Sequence, residues 1–406
     1  MSDCGVVQVL EEAGHELYDP YVHTSAENVY DIYAQLRENS PVYFCATRDA
    51  WCLTRHDDIQ RAARDWRTFS NLPGVALDAP NLYGRGDFLD EDPPRHDILR
   101  NVARPFFTPK AIAGLADDIQ RRTAEILAEL RECSRANLAE EFALRLPIWV
   151  ISRLIGVPEV DDKEIQRMVL AMERRNVGDP EIPESATSAV RELHAYLEDL
   201  ARHKRRHPDD GVLSHLTAAA DSGALGADEI AGMGTILFSA GSETTYSLLG
   251  NLLAQLADHP DALESLRRGP TPELLDAAIE ESLRYEAPVQ YLARTATAMN
   301  EWHGATIPPG ARVLLVWAAG SRDPNRWERP DEFDFYRADK KRHLAFGEGI
   351  HFCLGAPLAR LEAKVALPMF LSTFSGYTIR SGRRRPHHIV RGWEELDAEL
   401  VPSRGA

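Results

Sequence analysis

Residues 227–260 read ADEIAGMGTILFSAGSETTYSLLGNLLAQLADHP, a helical pattern with no breaker before His259 and Pro260. At about 1.5 Å per residue such a helix runs roughly 45 Å, enough to cross a whole domain. It is apolar on nearly all sides over residues 233–238 and again over 248–256, which requires burial between other elements. Its middle, AGSETT at 240–245, is small and polar. The Thr244 hydroxyl can bond back to the carbonyl of Ala240, and Gly241 leaves space, so the helix can bend or open there and something can sit against the gap. The competing reading is that Ser242, Glu243 and the threonines line a solvated face.

The other strong patterns are also helical. AENVYDIYAQLREN, DIQRAARDW, AIAGLADDIQRRTAEILAELREC, ESATSAVRELHAYLEDLARHKRRH and TPELLDAAIEESLRYE place apolar residues three or four apart. Strand signals are few: a hairpin in PVYFCATRDAWCLT and short late strands in ATIPPGARVLLVW and GYTIR. The expected fold class is mainly α with a small β region, as one domain spanning residues 1–406, because no Gly/Ser or Pro-rich linker divides the chain.

A formal net charge of -17 disfavours nucleic acid and anionic membrane surfaces as general partners. No signal peptide and no apolar run of about eighteen residues appears, so neither secretion nor a membrane anchor is expected. Cys4, Cys45, Cys52, Cys133 and Cys353 are odd in number and scattered, which suits a reducing cytoplasm and no disulfide framework. Two basic runs stand out, RADKKRH at 337–343 and RRR at 383–385; a solvated turn is the plainer reading of each.

Glu281 and Arg284 sit three apart on one face of a helix opened by Thr271 and Pro272, and Arg337 is placed to complete a charge cluster with them. Shortly after comes FGEGIHFCLG, residues 346–355. Gly347 and Gly349 permit a tight loop, and Pro357 marks an early helical position, so Cys353 stands at a helix N-terminus where a thiolate is favoured. Three readings compete: a buried structural cysteine, a zinc ligand with His351 and His343, or a single thiolate beneath an iron porphyrin.

FGEGIHFCLG resembles the haem-binding loop of the cytochrome P450 family, ESLR at 281–284 its ExxR motif, and AGSETT its oxygen-activating central-helix motif, in the family's order and spacing. The resemblance covers essentially the whole chain. It implies the P450 fold, a long central helix over haem b (iron protoporphyrin IX), and Cys353 as the iron's thiolate ligand. It further implies that Phe346 shields the sulfur beside Gly347, that Glu281, Arg284 and Arg337 form a structural charge cluster, and that His96, Arg100, Arg294 and His351 bind the haem propionates. Glu243 and Thr244 match the acid–alcohol pair that relays protons during dioxygen cleavage, with Glu where many relatives carry Asp.

The implied reaction is monooxygenation of a small or medium hydrophobic substrate, by hydroxylation or a related oxidation such as O-demethylation. Electrons would come from a separate ferredoxin and ferredoxin reductase. Arg104, Lys110, Arg337, Lys340, Lys341, Arg342 and Lys364 are candidates for the face that steers an acidic donor. By family analogy the substrate pocket draws on Leu72, Val75, Leu237, Ala240, Gly241, Val289, Gln290, Tyr291, Leu292 and Trp393. A peroxide-driven peroxygenase of the same fold and a non-catalytic haem sensor are the alternatives.

Overall fold

The computed structural model describes residues 16–79 and 81–403. Cys4 therefore lies outside the described residues. The central helix forms over Glu229–Asp258 and stops at His259, before a new helix that starts with Pro260. Nearly its whole length is buried, as its all-round apolar pattern requires. It packs against the helices Arg145–Ile155, Glu184–Arg206, Pro272–Tyr285 and Ala356–Thr373. One large hydrophobic core runs through these contacts, from Phe88 to Leu400. Gly232 sits where the chain at Tyr83–Arg85 crosses the central helix; a Cβ there would overlap the Arg85 carbonyl.

The ExxR helix begins as its sequence dictates: the Thr271 side chain accepts a hydrogen bond from the Leu274 N–H, and Pro272 occupies the first turn. The long pattern at 111–133 divides into Pro109–Ala113 and Ala116–Arg131, separated at Gly114 and Leu115.

The β structure lies beside the helices. The hairpin Val42–Cys45 and Ala50–Leu53 is antiparallel, and its second strand pairs in parallel with Arg312–Leu315, which pairs with Leu292–Ala296 and through it with Phe69–Ser70. A second sheet joins Arg135–Asn137, Trp393–Pro402 and Phe374–Arg384. The GYTIR signal thus marks part of an eleven-residue strand. No helix among the described residues is long and apolar enough to cross a membrane.

Candidate active site

An apolar cavity with an empty volume of about 1310 Å³ lies between the central helix and the cysteine loop. Leu237, Ala240, Gly241 and Thr244 face it from one side, and Phe346, Gly347, His351 and Cys353 from the loop. The small residues of AGSETT thus open a gap in the side of a buried helix, and the Thr244 hydroxyl donates to the Ala240 carbonyl at 2.8 Å.

The loop places its sulfur by backbone geometry. Gly347 and Gly349 take φ values of 68° and 74°, and a Cβ on Gly349 would come within 2.5 Å of the Ala63 carbonyl oxygen. The Cys353 N–H donates to the Phe346 carbonyl at 2.9 Å, closing the turn ahead of the helix Ala356–Thr373. Burial pushes the Cys353 thiol up; the Gly355 N–H, Arg100, Arg360 and the Ala356 N–H oppose that effect. Phe346 is held by the Arg360 guanidinium, 4.4 Å from its ring centre. Arg360 is fixed in turn by Glu280, which also meets His343 Nε2 at 3.2 Å. His343 Nδ1 accepts from the Ala345 N–H. With both ring nitrogens engaged, His343 is not free to join Cys353 and His351 around zinc.

Glu281, Arg284 and Arg337 come together in the interior. Arg284 makes a two-pronged contact with Glu281 at 2.8 and 2.8 Å, and Arg337 Nε lies 3.4 Å from the same carboxylate. The remaining Arg284 N–H groups donate to the carbonyls of Ser321, Pro330 and Glu332. Arg337 donates to those of Glu328, Arg329 and Glu332. The cluster therefore pins the irregular stretch that leads into the cysteine loop.

At the cavity's edge His96 and His351 lie with ring centres 4.3 Å apart, and the Nε2 atom of each is buried without a partner. Arg100 and Arg294 line the same cavity. Arg100 donates to the Phe352 carbonyl and Arg294 to the Ala293 carbonyl. Burial, with Arg294, His96 and Arg100 near by, depresses His351 to about 2; burial likewise lowers Arg294 to about 10. A donor-rich cluster at the edge of an apolar cavity matches a flat, mostly apolar group carrying two carboxylates. Porphyrin propionates meet that description, and the Cys353 sulfur faces the same space.

The pocket expectations divide. Val289 and Leu292 line the cavity, whereas Leu72, Val75, Gln290, Tyr291 and Trp393 do not. The reason is strand alternation: Leu292 and Arg294 face the cavity, so Tyr291 and Ala293 turn into the neighbouring core. Gln290 donates to the Ala287 carbonyl and accepts from Tyr33. Trp393 packs beneath Arg384, 3.5 Å from its guanidinium, between Gly250 and Gly382. Val75 gives its N–H to Asp90, and Leu72 is largely exposed. Sequence reasoning missed other walls, among them Phe88, Phe107, Ile151 and Trp317. These are ordinary apolar residues with no local signature.

Glu243 points away from the cavity. Arg385 Nη1 lies 2.9 Å from its Oε1, and Glu173 and His387 adjoin it. The RRR run is thus not a solvated turn throughout: Arg384 and Arg385 are nearly buried, against Glu286 and Glu243, while Arg383 is exposed. The expected donor face also contracts. Arg337 is buried, Lys364 pairs with Asp276 at 2.5 Å, and Lys340 bonds the Arg337 carbonyl. Arg104, Lys110, Lys341 and Arg342 remain exposed.

A buried helix opened over an apolar cavity, with a cysteine loop opposite and a cationic rim, defines the haem-thiolate class of oxidoreductases. Residues 271–388 match the family model described as Cytochrome P450. The chain is 36% identical over 370 residues to 6-deoxyerythronolide B hydroxylase of Saccharopolyspora erythraea, covering 86% of this chain and 89% of that protein. It is 37% identical over 360 residues to cytochrome P450 monooxygenase PikC of Streptomyces venezuelae, covering 85% and 84%. A solved mutant of P450 EryK in complex with erythromycin B matches with a TM-score of 0.86 at 32% identity, over 95% of this chain and 99% of that one. The chain belongs to the cytochrome P450 family and is a haem-dependent monooxygenase.

Proposed function

We propose that the cavity holds haem b, ligated by Cys353, with a hydrophobic substrate between it and the central helix. The observation that carries this is the placement of Cys353 and Thr244 on two walls of one apolar cavity. When bound, the haem supplies dioxygen activation. His96, Arg100, Arg294 and His351 hold its propionates, which give partners to the buried Nε2 atoms of His96 and His351. Phe346 and Gly347 cover the sulfur. Glu281, Arg284 and Arg337 fix the approach to the loop, so that Cys353 is positioned before the cofactor arrives.

Thr244 and Glu243 deliver protons from the central helix, hydroxyl toward the cavity and carboxyl behind it. Water is otherwise kept out by Phe88, Ile151, Leu237, Val289 and Leu292. The relatives' names, a 6-deoxyerythronolide B hydroxylase, a polyketide biosynthesis cytochrome P450 and an erythromycin B complex, bring polyketides within the hydrophobic substrates considered. A ferredoxin and its reductase supply electrons, docking by charge at Arg104, Lys110, Lys341 and Arg342.

Reconstitution with haem tests the assignment. The reduced carbon monoxide adduct is expected to show the strongly red-shifted band of thiolate ligation, and Cys353→Ser to lack it. A wild-type adduct without that band, or an unchanged band in Cys353→Ser, refutes it.

A further inference from the structure

Behind the central helix, on the side away from the cavity, four parts of the chain bring ionisable groups into one buried cluster. Glu243 comes from the helix itself, with Tyr246 below Arg385. Glu173 and Arg175 follow the helix Asp162–Met172. Asp78 and Tyr83 come from the loop ahead of Phe88, and Arg385, His387 and His388 from the turn after the strand Phe374–Arg384. The carboxyl oxygens of Glu173 and Glu243 and a ring nitrogen of His387 all lie within 4.8 Å of one another. Glu173 is 3% exposed and Glu243 4%, and Glu173 Oε1 is buried without a hydrogen-bond partner.

The charges do not balance unless a proton is retained. Arg175 is committed to Asp78, with Nε 3.0 Å from Oδ2, and His388 meets the other oxygen of Asp78 at 3.3 Å. Three carboxyls, those of Asp78, Glu173 and Glu243, thus share two guanidiniums, Arg175 and Arg385. His387 cannot make up the difference, because burial and Arg175 hold it well below its ordinary value. Burial and the neighbouring Glu173 raise Glu243 well above the carboxylate range, against the pull of Arg385.

A bound cation is the rival use of such a trio, and the histidine argues against it. His387 Nδ1 accepts from the N–H groups of both Ile389 and Val390 at 3.1 Å, so the neutral ring carries its proton on Nε2, which faces Glu243 Oε1 at 3.9 Å. That nitrogen has no lone pair to give a metal. Two guanidiniums in the cluster disfavour a cation further.

We infer that Glu173 shares a proton with Glu243 and refills it, acting as a second carboxyl in the path to Thr244. This rests on the reading of Glu243 and Thr244 as the proton-delivering pair. Successive helical residues are turned about 100° apart, so Thr244 faces the cavity while Glu243 faces Glu173. Glu243 gives its proton toward the Thr244 side. Glu173, then a carboxylate, takes up a proton from water at the surface, a single residue from exposed Arg174, and passes it to the Glu243 carboxylate. Each transfer moves one proton between oxygens, and no other bond changes.

The test uses holoenzyme variants Glu173→Gln and Glu173→Asp, with Thr244→Ala as the reference. In the resting wild type, infrared difference spectra in water and D2O are expected to show the carbonyl stretch of a protonated buried carboxylic acid, displaced in Glu173→Gln. Ferredoxin-supported turnover of Glu173→Gln is expected to fall about ten-fold, less than the ~100-fold or more for a missing general acid, because Glu243 remains. The solvent deuterium isotope effect should rise, the substrate-induced spin shift should stay at the wild-type value, and Glu173→Asp should recover most of the rate. An unchanged carbonyl band, or wild-type turnover and isotope effect in Glu173→Gln, overturns the inference while increased peroxide release in Thr244→Ala leaves the pair's role intact. Full coupling in Thr244→Ala overturns that role and this inference with it.

Discussion

Arg284→Lys keeps the charge of the buried cluster but removes its fork. A guanidinium carries five N–H donors, and Arg284 makes five hydrogen bonds: two to Glu281 and one each to the carbonyls of Ser321, Pro330 and Glu332. A lysine ammonium has three donors, so at least two of the five hydrogen bonds are lost. Each hydrogen bond from a charged group contributes about 1.5–3 kcal/mol, giving roughly 4 kcal/mol for two. The full ~3–5 kcal/mol penalty of breaking a buried pair is avoided, because a cation still faces Glu281. Against a total stability of about 5–15 kcal/mol the expected loss is large. Guanidinium denaturation of the haem-loaded protein, followed by tryptophan fluorescence, is expected to show a lower midpoint with an unchanged slope. Arg284→Ala should fall further, since Glu281 then keeps only the Asp334 N–H at 2.9 Å and Arg337 at 3.4 Å. A lysine variant within about 0.5 kcal/mol of wild type, the range of an ordinary surface change, refutes the argument that the fork is what the site requires.

Glu286 supplies a pH test. Burial alone would raise its pKa, but Arg384, Arg391 and Arg322 pull it from 4.5 to about 2. Its folded value lies below its unfolded one, so it stabilises the protein above pH 4.5 by roughly 3 kcal/mol, and that contribution disappears as pH falls toward 2. Glu286→Gln should be less stable than wild type at pH 7 by about that amount, with the gap closing between pH 4.5 and 2 in denaturation curves. Gly232→Ala drives a methyl into the Arg85 carbonyl and to 2.8 Å from that of Tyr83; a loss of roughly 1–3 kcal/mol is expected in thermal unfolding, together with weaker binding of apolar ligands as Phe88 and Leu89 shift. Lys341→Glu with Arg342→Glu should weaken ferredoxin-supported turnover and steepen its loss with salt, while dithionite reduction and carbon monoxide binding stay unchanged. Unchanged ferredoxin kinetics would remove that face from the docking reading.

What could be read from sequence was local. Thirty residues of all-round apolar pattern can only be a buried helix, and AGSETT marks where it opens, because periodicity and small residues act over one or two turns. The ExxR pair, the Thr271–Pro272 start and the glycines around Cys353 are equally short-range: each sets a backbone conformation or one helix face within a few residues. The direction of a side chain relative to distant elements is another matter. Gln290, Tyr291 and Trp393 looked like pocket residues, yet strand alternation and the packing of the second sheet turn them elsewhere.

The same holds for charge. In RRR nothing separates Arg383 in solvent from Arg385 against Glu243, and nothing in the sequence joins Glu173 to Glu243 across seventy positions. Burial decides which charges pair and which hold a proton, and burial is a property of the packed chain. The sequence by itself determined the long helix, the thiolate loop and the carboxylate–guanidinium pair. Only the tertiary structure decided which walls close the cavity and which carboxyl stands behind Glu243, because those contacts form between segments that have no influence on one another until the core has assembled.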